Sequence, residues 1–325
     1  VTLITRPRRF GKTLNLSMMN CFFSLKYAHR GDLFEGLKVW EGEAFRKLQV
    51  TFPVIFLSFA GVKQTSYENA VALIKMLIVQ LFSSFPELYS SDKLNENERI
   101  LLRAVSREMD DVTAAFSLNL LSTLLEKHYG MKALIFLDEY DTPLQEAWLA
   151  GYWDELVSFM RSMFNNTFKT NPSLHRAILT GITRVSRESI FSDLNNLVVV
   201  TTTSRKYATA FGFTEGEVFQ ALREQGFAEA EKEKTKAWYD GFTFGGVTDI
   251  YNPWSICNLL DTGEFKTYWA NSSGNSLVGT LIQQGNRRIK ESFETLLKGG
   301  TLEVALDEEI VYSQLDENPE AIWSL

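Results

Sequence analysis

A chain of 325 residues with 45% hydrophobic and 22% charged side chains has the balance of a folded globular protein, long enough for two domains or one large core with an appendage. Its formal net charge of −7 argues against a surface built mainly to bind nucleic acid, and no apolar run approaches the roughly 18 residues of a membrane span. The two cysteines, Cys21 and Cys257, each sit in an apolar helical context and read as buried thiols, which suits a reducing, cytoplasmic compartment.

The first stretch is Val1-Thr-Leu-Ile-Thr-Arg-Pro-Arg-Arg-Phe-Gly-Lys-Thr-Leu-Asn-Leu-Ser17. A short apolar β-type run leads into a turn that closes on Gly11-Lys12-Thr13, and Leu14, Met18, Cys21 and Phe22 then recur at helical spacing. Strand, loop, Gly-Lys-Thr and helix is the order of a P-loop, or Walker A motif. In such a loop a backbone nest and a helix N-terminus hold phosphate, the lysine reaches the terminal phosphates and the hydroxyl holds Mg²⁺. The general pattern has a glycine five places before Gly11; here that place is Arg6, followed by Pro7. Proline has no N–H to donate, so the nest must be built from Arg8 to Thr13. That makes Arg8, Arg9, Phe10, Gly11, Lys12, Thr13 and Leu14 the candidate nucleotide-binding residues. The bland alternative is a plain helix N-terminus with Lys12 solvated.

Further along, Pro53 to Phe59 is a nearly continuous apolar run that reads as a strand buried on both faces. Ser66 is a plausible N-cap for a helix stopped by Pro86, and a second amphipathic helix around Leu118 to Leu125 ends at Gly130. Ala133-Leu-Ile-Phe-Leu137 then runs straight into Asp138-Glu-Tyr-Asp141. Four apolar residues followed by Asp-Glu is the Walker B arrangement: the first carboxylate completes Mg²⁺ coordination and the second is placed to polarise an attacking water. After an aromatic helix from Tyr152 to Phe168 comes a third strand, Arg176 to Ile182, whose end carries Thr183 and Arg184. Thr180 and Arg184 form the third element, with Arg184 placed to sense the γ-phosphate.

From about Lys206 short helices dominate, broken by Gly241-Phe-Thr-Phe-Gly245, which reads as a turn. Leu302 to Val311 reads as a short hairpin. The expected fold is α/β: a three-layer P-loop NTPase core with a parallel sheet over residues 1–205, a helical lid-like region over 206–275, and an incomplete winged-helix-like region over 276–325. Val1 is not a start methionine and Pro319 to Leu325 looks like the first turns of a helix cut short, so the chain reads as a piece of a longer protein.

Arg6-Pro-Arg-Arg-Phe-Gly-Lys-Thr13, Phe136-Leu-Asp-Glu-Tyr-Asp141, Leu179-Thr-Gly-Ile-Thr-Arg-Val-Ser186, Trp238-Tyr-Asp-Gly241 and Tyr251-Asn-Pro-Trp-Ser255 together resemble the bacterial AAA-ATPase-like family, predicted P-loop ATPases of the AAA+/STAND type. That family's own loop looks like Arg-Pro-Arg-Arg-Phe-Gly-Lys-Ser/Thr, so Arg6 departs from the general pattern and not from the family's. Members often carry a C-terminal domain resembling a PD-(D/E)xK nuclease; this chain stops before one, so nucleic acid would enter only through such a domain. The resemblance implies ATP and Mg²⁺ as cofactors and slow hydrolysis driving a regulatory or conformational switch. In that scheme Lys12 neutralises the β- and γ-phosphates, Thr13 and Asp138 hold Mg²⁺, Glu139 activates water and Arg184 senses the γ-phosphate. The rival is a nucleotide-gated protein-interaction module, working through a protein partner or self-association, that binds ATP with little turnover. Arg6, Arg8 and Arg9 raise one further expectation: added positive charge doing part of the work that glycine amides do elsewhere.

Overall fold

A computed structural model of the protein describes residues 1–183, 190–191, 194–269, 279, 281–283, 285–304 and 319–324. Strand β1 (Thr2–Thr5) leads through the Arg6–Gly11 loop into helix α1 (Lys12–Phe23). Two single-turn helices, α2 (Lys38–Glu41) and α3 (Glu43–Arg46), precede β2 (Val54–Ser58). Helix α4 (Tyr67–Ser83) starts where the Ser66 hydroxyl accepts the Asn69 N–H, and α5 (Glu96–Ala104) starts in an Asn95/Glu98 capping box. Helix α6 (Asp111–Tyr129) ends at Gly130, whose φ of 75° is the left-handed cap that glycine adopts without strain. Then come β3 (Ala133–Asp138), α7 (Thr142–Ala150), α8 (Trp153–Phe168), β4 (Leu174–Gly181) and β5 (Val198–Val200).

The five strands form one sheet in the order β2-β3-β4-β1-β5. β2 and β3 run parallel with Val54 opposite Leu134 and Ser58 opposite Asp138, and β3 runs parallel to β4 with Leu137 opposite Leu179. Every residue of β3 is buried, as expected of a central parallel strand covered on both faces. Leu16, Val54, Leu134 and Phe136 pack into one buried cluster, each contributing about 1.5–3 kcal/mol by leaving water. The fold is therefore the α/β, P-loop-like core expected of the sequence.

Several details differ from the sequence reading. Helix α7 is an addition between Asp141 and Tyr152: proline in the first helical turn forms no intrahelical N–H bond anyway, so Pro143 opens a helix well. β5 has three residues, too few to show a period. Cys257 is exposed and Cys21 only half-buried, both as free thiols, because the apolar face of each helix is carried by neighbouring positions. The proposed hairpin at Leu302–Val311 lies outside the described residues from Ala305 onward.

The chain divides into two compact units that do not follow it simply. The first comprises Val1–Leu3, Thr13–Gly181 and Val185–Val198; the second comprises Ile4–Lys12, Ile182–Arg184 and Val199–Leu325. Within the second, β6 (Phe213–Thr214), β7 (Phe242–Phe244) and β8 (Val247–Tyr251) form a small antiparallel sheet in the order β6-β8-β7. Helices α9 (Glu215–Glu224), α10 (Glu229–Tyr239) and α11 (Pro253–Thr262) accompany it. The stretch read as a turn, Gly241 to Gly245, thus contains β7. Its true turn is Gly245-Gly246, with φ of 56° and 85°, the all-positive signature of a two-residue hairpin. A Cβ on Gly245 would also lie 2.4 Å from the Ser204 carbonyl oxygen, so only glycine fits.

Candidate functional site

In the first unit, the C-terminal ends of β2, β3 and β4 bring one carboxylate and several hydroxyls together. Asp138, the last residue of β3, is 1% exposed. Its Oδ1 accepts from Thr180 Oγ1 at 2.7 Å on β4, and its Oδ2 accepts from Thr13 Oγ1 at 2.8 Å in the first turn of α1. Ser58 Oγ, at the end of β2, lies 3.4 Å from the same Oδ2. A carboxylate this buried is tolerated only when hydrogen-bonded, and each hydroxyl donating to it supplies a charge-assisted bond.

All of these donors are hard oxygens, the set that Mg²⁺ prefers. Adjacent corners of a Mg²⁺ octahedron are about 2.9 Å apart for metal–oxygen distances near ~2.05 Å. The Thr13–Asp138 pair at 2.8 Å matches that spacing, so the residues fit the ion. Ser58 was not among the sequence candidates. A polar residue closing a buried apolar strand, in register with Asp138, is the signal that marks it.

Glu139 follows in a left-handed backbone conformation, φ 51°, which costs a non-glycine residue about 1 kcal/mol or more. It is held there from both sides. The Thr142 N–H donates to the Glu139 carbonyl at 3.1 Å, and the Thr142 hydroxyl donates to Glu139 Oε2 at 3.1 Å. Behind it, a Cβ on Gly181 would lie 2.7 Å from both Asp141 Oδ1 and Tyr140 Cε1. Gly181 therefore leaves the space that the fully buried Tyr140 and Asp141 fill.

In the second unit, Lys12 is 5% exposed, and its Nζ donates to the carbonyls of Arg6 at 2.9 Å and Pro7 at 3.0 Å. It is not the solvated lysine of the bland alternative. Arg9 and Gly11 both have positive φ, 68° and 77°, on either side of Phe10. Left-handed residues set among ordinary ones turn successive N–H groups toward one concave side, the geometry of an anion-binding nest. The Phe10 ring is buried edge-on against Phe242 and Phe244, with centroids 4.7 and 5.2 Å away, so only its backbone can face an anion. Thr13 and Leu14 are exposed at the start of α1.

Arg6 corrects an expectation. Its side chain is fully buried, and its guanidinium donates to the carbonyls of Thr5 (2.9 Å), Thr201 (2.6 Å) and Tyr207 (3.1 Å). It also lies over the rings of Phe244 and Phe211, at 4.9 and 5.6 Å. Burial pulls its pKa down to about 10. Arg6 spends its charge on this unit's backbone and does not offer it to phosphate. Arg9 stacks on Trp254 at 4.6 Å, and the Arg8 carbonyl accepts from Asn252 Nδ2 at 3.4 Å and Trp269 Nε1 at 3.2 Å. Thr183 is described and buried, whereas Arg184 lies outside the described residues.

A family model described as "Predicted AAA-ATPase" matches residues 1–191, more than half of the chain. The chain belongs to this AAA-ATPase-like family. The match spans the loop, Thr13, Asp138, Glu139 and Thr180. An "Uncharacterized protein in vnfD 5'region" of Azotobacter chroococcum mcd 1 is 27% identical over 284 residues, 86% of this AAA-ATPase-like chain and 49% of the relative. The chain thus spans about half the length of the curated relative it matches. No solved structure matches it. Membership of the family suggests nucleotide binding. Among the described residues, no helix is long and apolar enough to cross a membrane.

Proposed function

We propose that this chain binds ATP with Mg²⁺ and hydrolyses it slowly, as a regulatory or conformational switch in a cytoplasmic protein. The observation that carries the reading is the Thr13–Asp138–Thr180 hydroxyl–carboxylate group, in which Thr13 from the first turn of α1 meets the end of the Walker B strand within the first unit. Thr13 and Asp138 are the Mg²⁺ ligands, and the ion supplies charge neutralisation of the phosphate oxygens when bound. Lys12 neutralises the β- and γ-phosphates, while the N–H groups from Arg8 to Leu14 cradle them. Glu139 accepts a proton from the attacking water, and Arg184 senses the γ-phosphate.

A second reading, a nucleotide-gated interaction module with little turnover, draws on one observation. The Glu139 carboxylate is held by the Thr142 hydroxyl and must exchange that bond for one to water before it can act as a base.

The metal assignment has a direct test. Phosphate release from ATP should require added Mg²⁺ and stop on chelation. In Asp138→Asn the Mg²⁺ concentration for half-maximal release should rise at least about tenfold, since a ligand charge is lost. Release that is indifferent to chelation contradicts the assignment.

A further inference from the structure

The motif Tyr251-Asn-Pro-Trp-Ser255 belongs to the second unit, as does the Ile4–Lys12 segment. Asn252 is 2% exposed and makes two bonds with opposite ends of its amide. Its Oδ1 accepts the Ser255 N–H at 3.1 Å, capping α11, and its Nδ2 donates to the Arg8 carbonyl at 3.4 Å. The orientation of the amide follows from its partners: a backbone N–H only donates and a carbonyl only accepts. Trp269 Nε1 donates to the same Arg8 carbonyl at 3.2 Å.

The next two residues are gripped as well. The Arg9 guanidinium lies 4.6 Å from the Trp254 ring, and the Phe10 ring is wedged against Phe242 and Phe244. Between these anchors Arg9 takes a φ of 68°, a conformation that a non-glycine residue keeps only when its surroundings over-determine it. A trans peptide points its C=O and its N–H in opposite directions. Fixing the Arg8 carbonyl on Asn252 and Trp269 therefore also fixes the Arg9 N–H, directed away from them.

We infer that Asn252 is a positioning residue for phosphate binding: its amide, with the Trp269 indole, orients the Arg8–Arg9 peptide and locks the left-handed turn at Arg9 that gives the loop its nest. The seat for the loop thus does work that the missing glycine at position 6 does elsewhere. This rests on the ATP-binding reading above, and it gives the Tyr-Asn-Pro-Trp-Ser motif a task distinct from capping a helix.

Asn252→Asp separates the two tasks. A carboxylate caps α11 at least as well as the amide, but it cannot donate to the Arg8 carbonyl. Calorimetric titration of the full chain with MgATP at about pH 8 should show affinity reduced about tenfold, with the thermal midpoint within a few degrees of wild type. As pH falls toward about 6, the ratio to wild type should narrow, because a buried carboxyl facing a carbonyl protonates early and its O–H can then donate. Trp269→Phe, which removes the N–H and keeps the ring, should weaken MgATP binding in the same direction by about two- to fivefold. Wild-type affinity in Asn252→Asp at the higher pH overturns the inference, and so does a loss that is equal at both pH values and tracks a fall in thermal midpoint. If Lys12→Ala abolishes binding while Asn252→Asp leaves it intact, ATP binding stands and this inference falls. If the wild-type chain binds no MgATP, both fall together.

Discussion

Arg6→Gly, which restores the glycine of the general phosphate-loop pattern, is expected to damage the protein. The substitution removes the guanidinium from three backbone carbonyls, those of Thr5, Thr201 and Tyr207, the last two of which keep the N–H groups of Ser204 and Ala210, and it opens a cavity against Phe211 and Phe244. Losing the hydrogen bonds of a charged donor costs about 1–3 kcal/mol, a cavity of this size costs a similar amount, and glycine adds about 0.5–1 kcal/mol of unfolded-state entropy. Two terms work the other way. Water entering the cavity can satisfy part of the carbonyls, and a buried cation, whose pKa has fallen to about 10, is no longer paid for in desolvation. The expected net loss is about 2–5 kcal/mol, a large share of a domain's usual ~5–15 kcal/mol. Urea unfolding should show a clearly lower midpoint, and MgATP affinity should fall with it. An unchanged midpoint, or tighter nucleotide binding, contradicts the structural role assigned to Arg6.

The second large effect is expected at Glu139. Glu139→Gln keeps the length of the side chain and an acceptor for the Thr142 hydroxyl, so the local backbone at φ 51° should hold. It removes the base. General-base catalysis typically contributes about 10²–10⁴-fold, so phosphate release should fall by that order while MgATP affinity stays within a few-fold of wild type. Retained ATP on the variant after gel filtration would accompany the loss. A variant that releases phosphate at the wild-type rate supports the binding-module reading instead, in which Glu139 stays on Thr142.

The residues singled out in the two units were not equally legible in the sequence. β2, β3 and the end of β4 stand out because strands buried on both faces are written as continuous apolar runs, and Asp138 stands out because it ends one. Thr13 follows from Gly11-Lys12. Arg6 misleads because its partners Thr201 and Tyr207 are 195 and 201 residues away, and nothing local marks a backbone carbonyl as an acceptor. Asn252 is hidden for the same reason: 244 residues separate it from Arg8, although its N-cap role is visible locally before Pro253. Periodicity reports which face of an element is apolar. It does not report which distant backbone groups that element will hold. The short antiparallel sheet β6-β8-β7 escaped because its strands are two, three and five residues long, below the length at which alternation can be read.

If the Gly11-Lys12-Thr13 helix start binds the phosphates of ATP, Lys12 carries a large part of the affinity. Wild type and Lys12→Ala are to be titrated side by side with MgATP. Lys12 donates to the carbonyls of Arg6 and Pro7 in this structure, so thermal melts of both proteins must accompany the titration. Saturable one-to-one binding by wild type, weakened about a hundredfold or more in a still-folded Lys12→Ala, is the predicted result. Equal affinity in the two proteins would mean that the phosphates do not bind at this helix start.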